Sequence, residues 1–298
     1  MRRTASALLA TLCAAALGLT SAAAAGAKST PPTANGHSIK TSSHYVALGD
    51  SYASGAGITP FVADAPATCS RSRLNYSHDI AAVTHPTSFN DASCSGARTS
   101  DFFSSQGPGV APQLDAVTKD TRLVTMTIGG NDEGVFANSF FGCVALSYAD
   151  MGGNPCQRAY GTAFTDQIEK QTYPHLVAAL TAVRKKAPAA SVVILGYPQI
   201  LPATGQPSCY RSMPIAMGDV PWLHHEEEVL NEVVRRAARV TGARFVDMTA
   251  ASQGHDACQP VGQRWIEPAV APINALPVHP NALGEAAMAR QTLLQIGH

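Results

Sequence analysis

Four short apolar runs punctuate the chain: HYVALGD (44–50), RLVTMTIGG (122–130), ASVVILGYP (190–198) and ARFVDMT (243–249). Each is apolar at consecutive positions, partly β-branched, and closes on Gly, Pro, Asp or Thr. The pattern predicts strands buried on both faces, as in a parallel sheet. Between and after them the period changes. Leu230, Val233, Val234, Ala237 and Val240 fall on one helical stripe that Gly242 can stop, and Leu176, Leu180 and Val183 mark a helix from about Tyr173 to Ala187, its start reset by Pro174. A third helix is predicted from Asn281 to Ile296, entered through Pro280 and Asn281. Strand and helix alternate, which gives an α/β class with a mainly parallel sheet covered on both sides. The stretches 60–95, 137–160 and 200–222, which carry most of the cysteines, read as long excursions from that scaffold.

The N-terminus breaks the pattern. Met1-Arg2-Arg3, a mostly apolar run from Ala7 to Leu19 and small residues through Ala25-Gly26-Ala27 have the layout of a signal peptide over residues 1–27. The apolar run is shorter than the ~20 residues of a membrane span, so no stable membrane insertion is expected. Residues 28–43, rich in Pro, Ser and Thr, read as a flexible linker, and 44–298 as a single domain. Of seven cysteines, Cys13 falls in the leader, where Leu12 precedes it and a lipoprotein signal would have a small residue. Six remain, an even number that in an exported chain predicts disulfides, with fifteen possible pairings. Sequential pairs, Cys69–Cys94, Cys143–Cys156 and Cys209–Cys258, are favoured because each lies in a loop-like stretch. No CxxC or His-x-x-x-His spacing accompanies them, so no metal site is expected. With 21 basic and 21 acidic residues the chain gives no electrostatic reason to expect nucleic acid as a partner, and a small, weakly charged ligand fits better.

In parallel α/β sheets ligands bind beyond the carboxyl ends of the strands. Two of those ends carry unusual polar residues, Asp50-Ser51 and Asn131-Asp132, which makes them expected neighbours. Ser51, directly after a buried strand, has the layout of a nucleophile elbow, although no GxSxG is present. Taken alone it could equally be a turn serine. Among ten histidines, His279 stands apart because PVHPNALGE places it in a proline-bracketed loop just before the last helix. Asn131 offers a side-chain N–H of the kind that stabilises an oxyanion, and Gly96 in CSGARTSDF offers a bare backbone N–H.

These four blocks, in this order, resemble the SGNH, or GDSL, family of serine hydrolases. Its blocks appear here as Gly49-Asp50-Ser51, Gly96, Gly129-Gly130-Asn131-Asp132 and His279-Pro280-Asn281. The resemblance implies a three-layer α/β/α sandwich and a secreted esterase or lipase that needs no metal or organic cofactor. Ser51 would be the nucleophile and His279 its base, with Ser51, Gly96 and Asn131 forming the oxyanion hole. A small-molecule or lipid ester would be the substrate, and the protein is expected to act as a monomer. One position departs from the family pattern: three residues before the histidine, where an aspartate is usual, stands Leu276. Loss of the triad acid costs about 10⁴ in rate in well-studied serine proteases, so something must orient the ring. The expectation is a Ser–His dyad held by the main-chain carbonyl of Leu276, with Asp247 or Asp256 as alternatives from other loops. Phe102, Phe103, Phe136, Phe140, Phe141 and Trp222 are candidates for an acyl pocket.

The same fold serves phospholipases and carbohydrate deacetylases, and it could survive in a noncatalytic binding module. The intact Ser, Gly, Asn and His disfavour the last. A metallophosphoesterase is disfavoured by the lack of Gly-Asn-His-Asp, Gly-Asn-His-Glu and His-x-Gly-His.

Overall fold

Each predicted strand forms where consecutive apolar residues let both faces be covered. The computed structural model describes residues 43–298; the expected signal peptide (1–27), Cys13 and all but the last residue of the expected linker lie outside them. In chain order the elements are β1 (His44–Gly49), α1 (Ser51–Ser54), α2 (Tyr76–Thr84), β2 (Ser88–Asp91), β3 (Thr121–Thr127), α3 (Val135–Ser147), α4 (Pro155–Tyr160), α5 (Ala163–Gln167), α6 (Tyr173–Lys186), β4 (Ser191–Leu195), α7 (Val220–Thr241), β5 (Arg244–Val246), α8 (Met248–Ala251) and α9 (Ala282–Ile296). A π-helical stretch, Ile168–Thr172, joins α5 to α6.

The strands form one five-stranded sheet in the order β2-β1-β3-β4-β5, every neighbouring pair parallel. Chain direction across the sheet therefore reverses between β1 and β3, where Gly49 lies opposite Thr127. Right-handed crossovers then decide the layers. The β1-to-β2 crossing puts α2 on one face, and the β3-to-β4 and β4-to-β5 crossings put α6 and α7 on the other. The packing agrees, since α6 lies against α7 and α2 against α9. The result is the expected α/β/α arrangement, with Leu48, Met126, Ile194, Leu180, Val233 and Met288 in its core.

Local chemistry fixes the helix ends. Asn281 caps α9 by accepting the N–H groups of Leu283 (3.0 Å) and Gly284 (3.1 Å), and Gly242 closes α7 in the left-handed region at φ 71°. Val240 departs from the predicted stripe: it sits at the margin of the last turn of α7 and is 57% exposed. The strand β2 (SFND) is polar and half exposed at the sheet edge, which is why periodicity does not reveal it. The cysteine-bearing excursions are less loop-like than expected, for they contain α2, α3 and α4. Disulfides join Cys69 to Cys94, Cys143 to Cys156 and Cys209 to Cys258. By loop-closure entropy each restricts the unfolded chain by on the order of 3 kcal/mol.

Candidate active site

The reversal between β1 and β3 opens the crevice in which the polar strand ends meet. At Gly49 the chain must turn at φ 124°, and an added Cβ would stand 2.3 Å from the Thr127 carbonyl, so only glycine fits. The next residue, Asp50, is buried and caps the short helix α1. Its Oδ1 accepts from Tyr52 N–H (3.0 Å) and from the Thr127 hydroxyl (2.7 Å), and its Oδ2 accepts from the Tyr197 hydroxyl (2.5 Å). Burial pushes the Asp50 carboxyl up to about 6, against the pull of these hydrogen bonds. Asp50 is thus a brace for the turn.

That turn delivers Ser51. Its Oγ lies 2.8 Å from His279 Nε2. The imidazole is buried between two aromatic rings, with Tyr52 centred 5.2 Å away and Phe136 5.8 Å away. Its Nδ1 lies 2.8 Å from the carbonyl of Pro277. A carbonyl can only accept, so Nδ1 carries the proton and Nε2 is left as an acceptor for the serine hydroxyl. Burial lowers the His279 pKa, and the hydrogen bond to Pro277 opposes that only in part.

The expected support from the Leu276 carbonyl does not form, and Pro277 takes that place. The Leu276 carbonyl accepts the backbone N–H of His279 (3.2 Å) in a tight turn, while Val278, at φ 62°, swings the Pro277 carbonyl under the ring instead. Neither aspartate alternative reaches the imidazole. Asp247 caps α8 through Thr249 N–H (2.9 Å), and Asp256 accepts from Cys258 N–H (2.9 Å) and Gln259 Nε2 (3.0 Å).

Gly96 and Asn131 are brought together across two loops. Asn131 Nδ2 donates to the carbonyl of Ala97 (3.1 Å), and Asp132 accepts both the N–H (2.8 Å) and the hydroxyl (2.7 Å) of Thr99. Gly96, at φ 77°, follows the disulfide at Cys94, whose own N–H bonds the Gly49 carbonyl (2.9 Å). The Tyr197 hydroxyl, held by Asp50, also accepts the N–H of Gly130 (2.9 Å), so one tyrosine ties the serine turn to the asparagine turn. Tyr197 is not among the residues expected from the sequence, although its place after β4, at a third carboxyl strand end, is a signal for it.

Beside the site lies an apolar pocket lined by Val135, Phe136, Phe140, Ile168, Ile200 and Leu230 among others. Of the aromatics expected there, Phe136 and Phe140 line it. Phe102 is fully buried in the core, Phe103 and Phe141 are exposed, and Trp222 packs on Phe164 instead.

A three-layer α/β/α fold whose crevice sets a serine hydroxyl against a buried imidazole has the layout of an ester hydrolase. More narrowly, the chain belongs to the GDSL-like Lipase/Acylhydrolase family, whose sequence profile matches residues 47–287. It is similar to Lipase 2 of Streptomyces coelicolor, 48% identical over 300 residues that cover 100% of this chain and 98% of the relative. Among solved structures it is similar to phospholipase A1 of Streptomyces albidoflavus NA297, with TM-score 0.71 and 33% identity over 85% of this chain and 99% of that one. The extracellular lipase of Streptomyces rimosus follows, with TM-score 0.69 and 30% identity over 86% and 100%.

Proposed function

We propose that this lipase or esterase is exported and cleaves carboxylic esters through a Ser51–His279 dyad. The observation that carries the reading is the Ser51 Oγ to His279 Nε2 contact of 2.8 Å on an imidazole whose other nitrogen faces a carbonyl. As Oγ bonds the acyl carbon, its proton passes to Nε2. The backbone N–H groups of Ser51 and Gly96 and the amide of Asn131 hold the resulting oxyanion. The imidazolium gives that proton to the leaving alcohol as the carbon–oxygen bond breaks. Water repeats the sequence on the acyl-serine, releasing the acid and restoring the hydroxyl. The apolar pocket beside Phe136 receives the acyl chain. Export is supported by the leader-like residues 1–27 and by three disulfides. No helix among the described residues is long and apolar enough to cross a membrane.

A phospholipid acyl ester is the second substrate reading, favoured by the likeness to a phospholipase A1. A panel of p-nitrophenyl esters of increasing chain length, run beside a phosphatidylcholine dispersion with wild type and Ser51→Ala, tests both. Turnover should fall by about 10⁴ to 10⁶ in Ser51→Ala, and an organophosphonate should label wild-type Ser51. Activity that survives in Ser51→Ala, or that a chelator abolishes, sinks the reading.

A further inference from the structure

The Pro277 carbonyl belongs to the same loop as His279, so it orients the ring relative to the loop and not relative to Ser51. Something else must hold the loop against the serine. Two contacts come from the Ser51 side: the Tyr52 hydroxyl donates to the Val278 carbonyl (2.8 Å), and Leu276 N–H donates to Ala56 (3.0 Å). The opposite side is held by segment 264–267: the Trp265 carbonyl accepts Asn281 N–H (2.8 Å), the Arg264 carbonyl accepts Asn281 Nδ2 (3.0 Å), and Glu267 bonds the catalytic turn itself.

We propose that Glu267 is the positioning residue for His279, a buried staple that replaces the missing triad acid by fixing the main chain beneath the ring. The proposal rests on the dyad reading above. Glu267 grips the loop by backbone and side chain together. Its N–H donates to the His279 carbonyl (2.9 Å), and its carbonyl accepts from Val278 N–H (2.9 Å), so the catalytic turn is bracketed residue for residue. Its carboxylate spans both ends of segment 273–281: Oε2 accepts from Ile273 N–H (3.0 Å), and Oε1 accepts from Asn281 Nδ2 (3.1 Å). Arg264 Nη2 completes the set at 2.6 Å from Oε2. Glu267 is only 2% exposed. A buried ion pair of this kind carries a desolvation cost and is weak evidence for stability, whereas a staple has use for its fixed geometry.

The isosteric substitution Glu267→Gln separates these roles. If the Gln oxygen faces Asn281, its amide N–H₂ confronts the donors of Ile273 and Arg264. If it is turned the other way, the N–H₂ confronts Asn281 Nδ2, and Asn281 cannot turn over because its Oδ1 caps α9. The first orientation releases the Ile273 end, and the second takes from Asn281 its bond to residue 267 while leaving those to the carbonyls of Arg264 and Trp265.

The test compares E267Q with wild type by steady-state kinetics on a p-nitrophenyl ester, by the proton NMR resonance of the His279 Nδ1–H, and by Tm. A kcat about 10- to 100-fold lower with KM within two-fold, as a misplacement near 1 Å gives, together with broadening of the resonance, supports the staple. A folded E267Q with kcat within two-fold of wild type and an unchanged resonance overturns it. So does a loss of kcat that follows Tm while the resonance stays sharp. Should E267Q melt below the assay temperature, Glu267→Asp keeps the charge but is one methylene too short to reach both ends, and the same outcomes apply. Organophosphonate labelling of wild-type Ser51 keeps the two readings apart. A labelled wild type beside an unaffected E267Q defeats the staple alone, and an unlabelled wild type defeats staple and dyad together.

Discussion

The two halves of the site are held in different ways. Ser51 sits on a turn pinned by the sheet: Gly49 is pressed against Thr127, and Asp50 receives three donors from three parts of the chain. His279 sits on a loop with no regular structure of its own, held by hydrogen bonds to Tyr52, Ala56 and Glu267. The serine half depends on steric fit that no small movement relieves. The histidine half depends on a set of directional bonds that can loosen one at a time.

Gly49→Ala should have the largest effect on this contrast. The new Cβ cannot avoid the Thr127 carbonyl and must adopt a positive φ, so a loss of roughly 2–4 kcal/mol is expected by urea denaturation. An unchanged denaturation midpoint would mean the serine turn is as yielding as the loop. Tyr52→Phe tests the other half. It removes the bond to Val278 and should cost about 1 kcal/mol of stability, with kcat for a short ester falling several-fold and KM staying put.

Acid should move the two halves in opposite directions. His279 is buried with a lowered pKa, so the unfolded chain takes its proton first; stability drains from this half as pH falls below the ordinary imidazole value of 6.5. Asp50 is the reverse. Its folded carboxyl protonates near 6 and its unfolded one near 3.8, so this half gains stability as pH falls through that window. The acid limb of kcat/KM should therefore have its midpoint below 6.5, and Asp50→Asn should flatten the stability profile between about 4 and 6. A midpoint at or above 6.5 would argue that the imidazole is not buried as described. The smallest effect belongs to Leu276→Ala. That side chain is partly exposed and its carbonyl does not touch the ring, so activity should stay within two-fold, and a large loss would return Leu276 to the site.

The same contrast governs what could be read in the sequence. The Ser51 turn was legible because a buried strand, a glycine and a polar pair are adjacent in the chain and dictate their own geometry. The sheet and the helices α6, α7 and α9 were legible for the same reason, since periodicity is local. The edge strand β2 was not, because its stability comes from pairing with β1 and not from an apolar run. His279 could be singled out, but its partner was placed one residue too early. The choice between Leu276 and Pro277 turns on the positive φ of Val278, a residue type that rarely adopts it and gives no warning. Tyr197 acts through partners 67 and 147 positions away, and Glu267 through an irregular loop whose path no periodicity encodes, so no motif announces either.

One consequence reaches past the chemistry. Because the group facing Nδ1 is the peptide oxygen of Pro277, no codon change at that position can delete it, whereas a single base change would erase an aspartate. Inheritance of the ring's orientation has moved from the identity of a side chain to the shape of a loop. A side-chain change at residue 277 leaves that oxygen in the chain, and the mutational target shifts to whatever preserves the loop's shape.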